Sequence, residues 1–254
     1  MSPGPSTALS RPCDASPLVR MDALATPLRR RRGEVICDAE RSACYLYRVE
    51  VGAARRCALS ADGRRRIVDL LFPGDFFGFA GESRSGSTIE ALTDVTIVLR
   101  YPRREIEALA DADPDAARVV RAIAFAAIAR LETQIGLLGR VNAVEKVGAF
   151  LLALEERQRG AERSDETISG PPRGSGWLRF ARNDGPCHDG PARVTLPVSR
   201  CDIGDFLALA PETVSRSFAA LERRGAISLP APRHVEIMDR AALGARRPAR
   251  GERA

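Results

Sequence analysis

The sequence predicts an α+β protein in which a β-rich domain is followed by one long helix and then by a winged helix-turn-helix. Short β-prone runs separated by turn signals extend from Val35 to about Tyr101, which is typical of a sandwich or barrel. After Pro102 the apolar residues recur every three or four positions, as they do on one face of a helix. From Ser199 onward, two short helical segments precede two alternating runs. These three observations together define the predicted fold class.

The composition indicates a globular protein with two domains of ordinary size. With 254 residues and 44% apolar side chains, each domain has enough material for a core of its own. The N-terminus lacks the layout of a secretory signal, and the most apolar stretch is too short to cross a membrane, so we expect a cytoplasmic protein. Of the net charge of +6, +4 lies on residues 193–254, where 11 arginines outnumber 7 acidic residues. This mild excess is of the sign that a phosphate backbone attracts.

The N-terminal half divides into an arm and the β-rich domain. Residues 1–26 are rich in Pro, Ser and Ala and lead into four consecutive arginines, so we expect a flexible arm over residues 1–32. The β-rich domain is expected over residues 33–112. Within it, the Asp62-Gly63 pair predicts a tight hairpin, because glycine accepts the positive φ that such turns require.

A long helix is predicted next, over residues 113–139. Its apolar positions fall on one face and are small: Val120, Ala124, Ala127, Leu131, Ile135 and Leu138. That face either pairs with a second copy of the chain or packs on its own β-rich domain. A second helix is expected over residues 142–159, with Asn142 as its N-cap. Residues 160–192 then predict a loop or linker, with one short strand at 177–180.

The C-terminal part, residues 140–254, is expected to contain a winged helix-turn-helix. Ser199 can cap a helix over Arg200 to Leu207, and a short turn leads to a second helix over Glu212 to Arg224. Gly225 is placed to end that helix. The runs AISL and HVEIM then alternate as two strands of a β-hairpin wing.

The second of these helices presents a polar face at its N-terminal end, opposite Val214, Phe218 and Leu221. Its polar residues are Glu212, Thr213, Ser215 and Arg216. In a helix-turn-helix this end reaches base edges in the major groove, where arginine can read guanine and glutamate can read cytosine. We expect Ser199 and Arg200 to contact DNA as well. The sequence therefore predicts a protein that binds double-stranded DNA, whereas the helix spacing alone would also fit a plain helical hairpin.

Two segments resemble the CRP/FNR superfamily of transcription regulators. RVNAVEKVGAFLLAL, residues 140–154, resembles the family's hinge and following helix, and SRCDIGDFLALAPETVSRSFAALERRGAI, residues 199–227, resembles its DNA-binding signature. Glu212, Ser215 and Arg216 match the E-x-x-S-R pattern of the FNR/FixK branch. The resemblance implies a cyclic-nucleotide-binding-like jelly roll, a dimerisation helix and a homodimer that reads a TTGA-type inverted repeat. It also implies transcription activation through contact with RNA polymerase.

Cofactors are not expected from the residues present. The segment that corresponds to the family's cyclic-nucleotide phosphate contact, residues 87–90, offers an acid instead of arginine, so cyclic AMP binding is not expected. FNR resembles an iron-sulfur sensor in which closely spaced N-terminal cysteines hold the cluster. In this sequence Cys13 is the only cysteine before the β-rich domain, so an iron-sulfur cluster is not expected. A regulator gated by a small ligand or haem stays open as an alternative. A cupin-like metal enzyme would need histidines that the barrel segment lacks, so we expect no metal site and no catalytic residues.

Cys201 is a candidate redox-sensitive position. It lies in the first turn of the first helix of the helix-turn-helix, beside Arg200, and helix N-termini and nearby cations favour the reactive thiolate form. Oxidation there would add negative charge near the DNA backbone and weaken binding. The alternative is a packed, inert thiol. The six cysteines are expected to be mainly free thiols, because the cytoplasm is reducing.

Overall fold

The computed structural model describes residues 16–38, 44–59, 65–79, 87–167 and 192–244. These residues group into two compact units. The first takes in the described residues up to 59 and those from 71 to 130, and the second takes in residues 65–70 and those from 131 onward. The hairpin predicted at Asp62-Gly63 and the strand predicted at 177–180 lie outside the described residues.

Antiparallel strands in two sheets form most of the first unit. The strands up to Pro102 are β1 (Thr26–Arg30), β2 (Val35–Cys37), β3 (Tyr45–Val51), β4 (Ala54–Leu59), β5 (Arg65–Leu71), β6 (Phe76–Phe77), β7 (Thr88–Ala91) and β8 (Thr96–Pro102). One sheet has the order β1-β8-β3-β6, and the other contains β2, β7 and β4 in that order. The predicted two-sheet sandwich is therefore confirmed.

The core of this unit lies between the inner faces of the two sheets. Val49 and Val98 from one sheet and Ile36 from the other are all buried in a single cluster. The rings of Tyr47 and Phe77 stack in the same cluster with their centroids 5.1 Å apart. Because side chains alternate between the two faces of a strand, β3 supplies this core with every second residue, Tyr47 and Val49.

Part of the segment that was predicted as a flexible arm, residues 1–32, forms regular secondary structure. Residues 17–22 form helix α1 (Pro17–Asp22), and β1 pairs with β8, so the expectation of a flexible arm is wrong from residue 16 onward. Met21 is fully buried, and Asp22 accepts hydrogen bonds from the Tyr101 hydroxyl (2.7 Å) and from Arg48 (3.1 Å). Burial raises the pKa of Tyr101, which keeps its hydroxyl protonated as a donor.

Two helices follow the strands: α2 (Arg103–Ala112) and α3 (Pro114–Leu138). The observed α3 agrees with the predicted long helix to within one residue. Its first half packs on the strands, because Val119, Val120 and Ile123 lie against the buried cluster that contains Tyr101. No helix in the described ranges is long and apolar enough to span a membrane.

Helix α4 (Ala143–Thr167) follows the end of α3 in the second unit. Asn142 caps it as predicted, since its Oδ1 accepts from the backbone N–H of Val144 at 2.9 Å. The helix continues eight residues past the predicted end at Arg159. The segment predicted as a linker, residues 160–192, is therefore helical up to Thr167, and residues 168–191 lie outside the described ranges.

The remaining elements form the helix-turn-helix and its wing. They are β9 (Ala192–Thr195), α5 (Arg200–Leu207), α6 (Pro211–Arg223), β10 (Ile227–Ala231), β11 (His234–Ile237) and α7 (Arg240–Gly244). The predicted two-stranded wing gains a third strand, in the order β10-β11-β9. Gln158 of α4 holds β9 with two hydrogen bonds to the backbone of Thr195, at 2.7 and 3.1 Å.

Candidate nucleic-acid interface

Helix α5 begins with a capping box formed by Ser199 and Asp202. The Ser199 hydroxyl oxygen accepts from the Asp202 backbone N–H, and the Asp202 carboxylate accepts from the Ser199 backbone N–H, both at 3.1 Å. The Ser199 hydroxyl also donates to that carboxylate at 2.6 Å. This arrangement satisfies backbone donors that the first turn of a helix leaves unpaired.

The turn between α5 and α6 depends on two small residues. Ala208 adopts the left-handed conformation with φ of 54°, which ends α5. At Gly204 a Cβ atom would lie 2.7 Å from the carbonyl oxygen of Leu209, so only glycine allows the chain to turn back this closely. Pro211 then occupies the first turn of α6, where its missing N–H costs nothing.

Helix α6 has one buried face and one exposed face, as predicted. Val214, Phe218 and Leu221 are buried. Glu212, Ser215 and Arg216 are exposed and Thr213 is half-exposed, so all four predicted contact residues lie in the N-terminal half of the helix. The Ser215 hydroxyl donates to the carbonyl of Pro211 at 3.1 Å. Its remaining lone pairs stay able to accept a hydrogen bond.

The buried face of α6 packs with α5 and α4 on a shared core. Ile203 and Leu207 of α5 are fully buried, and Phe206 meets Phe150 of α4 edge-on at 5.9 Å between ring centroids. Lys146, the only lysine of the chain, donates from Nζ to the carbonyl of Leu207 at 3.2 Å. A cation at the end of α5 interacts favourably with the helix dipole. These contacts hold the two helices on a rigid base.

Ser199 and Arg200, which the sequence predicts as DNA contacts, each have a partner within the chain. A phosphate oxygen can only accept hydrogen bonds, and the single O–H donor of Ser199 is directed at Asp202. The guanidinium group of Arg200 lies over the Phe218 ring, with Cζ 3.2 Å from the ring centroid. Ser199 is exposed and Arg200 is half-buried, so the first is at the surface and the second is partly withdrawn from it.

The wing extends the surface beyond the helix-turn-helix. β11 is the central strand and pairs on one side with β10 (Ile227 with Ile237) and on the other with β9 (Val235 with Val194). Arg233 is exposed where β10 and β11 meet, and Arg223 and Arg224 are exposed at the end of α6. The sequence did not single out these three cations, because arginine is frequent throughout the chain and gives no local signal.

The other predicted positions are distributed between the two units. On α3, Leu131, Ile135 and Leu138 are exposed, and so are Phe125 and Ile128, which the prediction did not name. Val120 is half-buried and packs against the core of the first unit. Ala124 and Ala127 are half-buried.

The cysteines and the segment 87–90 are the remaining candidate positions from the sequence. Cys201 is exposed at the start of α5, whereas Cys37 and Cys57 are buried in the first unit. Cys13 lies outside the described residues. Within the described ranges, no group of three or more metal-ligating side chains occurs. In the segment 87–90, Glu90 is nearly buried and forms an ion pair with Arg55 at 3.2 Å.

A two-sheet domain, a long helix and a winged helix-turn-helix with an exposed polar helix face define the class of DNA-binding regulators. A family model described as a Crp-like helix-turn-helix domain matches residues 145–246, and one described as a cyclic nucleotide-binding domain matches residues 27–113. The chain is 37% identical over 229 residues to the nitrogen fixation regulation protein FixK of Azorhizobium caulinodans, and the aligned region covers 90% of this chain and 82% of that protein. It is 28% identical over 231 residues to the transcriptional activator protein FnrL of Cereibacter sphaeroides, and the aligned region covers 91% of this chain and 84% of FnrL.

A solved structure supports the same assignment. FixK2 from Bradyrhizobium japonicum superposes with a TM-score of 0.66 at 31% identity and covers 86% of this chain and 95% of that chain. The chain therefore belongs to the CRP/FNR family of DNA-binding regulators, among relatives of the FixK and FNR type. These relatives are regulators rather than enzymes, which confirms the prediction of a non-enzymatic protein over a cupin-like enzyme.

Proposed function

We propose that the protein is a homodimeric transcription activator that reads an inverted repeat of TTGA-type half-sites with α6. The observation that carries this proposal is the exposed set Glu212, Ser215 and Arg216 on the N-terminal half of a helix whose other face is core. Arginine can donate two hydrogen bonds to guanine, and glutamate can accept one from cytosine. A TTGA half-site with its complementary strand offers both bases.

Pairing of two chains would supply the two-fold symmetry of the operator. The exposed apolar residues of α3 recur at intervals of three and four, which is the spacing of a helix that pairs with another helix. Ile135 is 70% exposed and Phe125 67% exposed, which a monomer would leave in contact with water. Half-sites centred about 34 Å apart would then match the two copies of α6.

Activation and cellular location follow from the proposed role. FnrL is by name a transcriptional activator, and we extend that activity to this chain, with RNA polymerase as the partner that it contacts. A protein that works on bacterial DNA would act in the cytoplasm. The N-terminal half of α6 would be engaged with DNA, so the polymerase would contact another surface.

The test is binding of the purified protein to a palindromic TTGA-type duplex and to a scrambled duplex, at fixed salt in reducing buffer. We expect the parent to prefer the palindrome and Arg216→Ala to lose that preference, at about 1–3 kcal/mol per base contact. Arg223→Ala is the matched control, because Arg223 is exposed on the same helix outside the proposed reading set. It should leave the ratio of the two affinities unchanged. Equal binding of both duplexes by the parent would contradict the proposal.

A regulator gated by a ligand in the β-sandwich is the second candidate, since residues 27–113 match a cyclic nucleotide-binding domain. The ion pair between Glu90 and Arg55 argues against a nucleotide phosphate at that segment, because the phosphate would have to compete with the Glu90 carboxylate for the Arg55 guanidinium. A bound chromophore or ligand in the purified protein would favour this candidate, which includes gating by haem. Titration with cyclic AMP during the same duplex assay tests that one ligand: a protein gated by it would gain affinity for the palindrome, and the protein proposed here would not.

A further inference from the structure

Arg200 makes an unusual contact for a cation at the start of a DNA-binding unit. Its guanidinium group lies on the face of the Phe218 ring, with Cζ 3.2 Å from the centroid, and Phe218 is itself 2% exposed. Nη1 of Arg200 is buried and has no hydrogen-bond partner among the described residues. The group is thus turned toward the core between α5 and α6.

Burial of this cation has a cost that no acid offsets. Desolvation alone lowers the pKa of Arg200, since no carboxylate contributes to the shift. The aromatic ring is what compensates, because a planar guanidinium stacks on an aromatic face and is attracted by its π electrons. Lysine cannot make the same flat contact and is more strongly hydrated.

The stack joins the N-terminus of α5 to the middle of α6. Phe218 lies three residues after Ser215 and two after Arg216, so its side chain is within one turn of both. Any shift of the Phe218 ring relative to α5 would move these two reading residues with it. Discrimination between bases depends on hydrogen-bond geometry, so such a shift would reduce specific binding before it reduced general attraction to DNA.

We propose that Arg200 is a positioning residue that fixes the orientation of α6 through its stack on Phe218, in place of the phosphate contact that its sequence position predicts. The inference rests on the proposed DNA-reading function of α6. The two roles make opposite demands on the side chain. Positioning needs a group that packs on the ring, whereas a phosphate contact needs a positive charge.

The experiment compares Arg200→Met with Arg200→Lys on the palindromic and scrambled duplexes over a range of salt concentrations. Methionine removes the charge but keeps a long side chain that packs favourably on aromatic rings. We expect Arg200→Lys to lose about tenfold in affinity for the palindrome, comparable to one weakened base contact. Arg200→Met should retain most of that affinity. Binding to the scrambled duplex and its salt dependence should be unchanged in both variants.

A phosphate contact would give the reverse order. Arg200→Lys would then bind nearly as well as the parent, and Arg200→Met would weaken both duplexes and reduce the salt slope by about 0.9 per subunit. A purely structural role would lower the unfolding temperature without changing the ratio of the two affinities. Either result overturns the inference.

Two further measurements complete the test. In a Phe218→Leu background, Arg200→Lys should have no additional effect on the palindrome, because the ring that it acts through is gone; additive effects would contradict the inference. In the free protein, the ring current of Phe218 should shift the Arg200 Nε–H resonance, and Phe218→Leu should abolish that shift. Loss of palindrome preference in the parent itself would instead contradict the proposed function, which Arg216→Ala reports separately.

Discussion

The side chain of Cys201 is exposed in the first turn of α5, one residue from Arg200. Oxidation of a thiol to sulfinic acid places a fixed negative charge at such a position. A DNA phosphate a few ångströms away would be repelled by roughly 1 kcal/mol in water, a severalfold loss of affinity. We predict that peroxide lowers the affinity of the parent for the palindromic duplex by this factor and that Cys201→Ser resists the loss.

Cys44 provides the control for this prediction, because it is also exposed but belongs to the first unit. Cys44→Ser should lose affinity on oxidation as the parent does. The measurement is the duplex dissociation constant before and after peroxide, with the modified residue identified by mass spectrometry. Equal loss in the parent and in Cys201→Ser would show that the sensitive group is elsewhere.

The reading face of α6 could be predicted from the sequence, but the roles of the residues before it could not. Exposure of Glu212 and Arg216 follows from helical periodicity alone, since the apolar residues Val214, Phe218 and Leu221 define the buried side. The partners of Ser199 and Arg200 are Asp202 and Phe218. Whether a cation stacks on a ring or points to solvent depends on how two helices pack, which spacing along the chain does not report.

The turn between α5 and α6 stores a small amount of strain at Ala208. An alanine with φ of 54° has its Cβ close to the following carbonyl, a cost that glycine avoids. Glycine also increases the entropy of the unfolded chain, so only part of the cost is recovered. We predict that Ala208→Gly raises the free energy of unfolding by about 0.5–1 kcal/mol and the melting temperature by a few degrees.

The matched control for that substitution is Ala219→Gly, at an exposed position inside α6. There the backbone is helical, and glycine should lower the free energy of unfolding by about 1 kcal/mol. Thermal unfolding of the full chain, followed by circular dichroism, measures both. If both substitutions destabilise the protein, Ala208 is not strained.

The helices with strong local signals were predicted well and two short strands were missed, for a physical reason. α5 was predicted to the residue, because its periodicity, cap and end signals are all local. β1 and β9 were missed: β1 pairs with β8, about seventy residues along the chain, and β9 pairs with β11 beyond the whole helix-turn-helix. Short strands of this kind are stabilised by their partners, so their own sequences carry little signal.

At the scale of the whole molecule, the apolar surface of α3 requires an explanation. Val120 is the first residue of the predicted pairing face, and it packs within the first unit. The larger side chains of Phe125, Ile128 and Ile135 remain exposed. The first turns of α3 pack on the sandwich, and its later turns carry exposed apolar residues. Pairing of those later turns with a second copy is the proposal that the next prediction tests.

We predict that Ile135→Glu converts the protein to a monomer, because a carboxylate at the centre of a paired apolar face would lose its hydration. Ala122→Glu is the control, since Ala122 is exposed on α3 about 140° around the helix from Ile135. Analytical ultracentrifugation at micromolar concentration measures the mass of each variant. Binding to the full palindrome should fall sharply for Ile135→Glu, while affinity for an isolated half-site should stay near that of the parent. A dimer that survives the glutamate would show that the two copies meet through another surface.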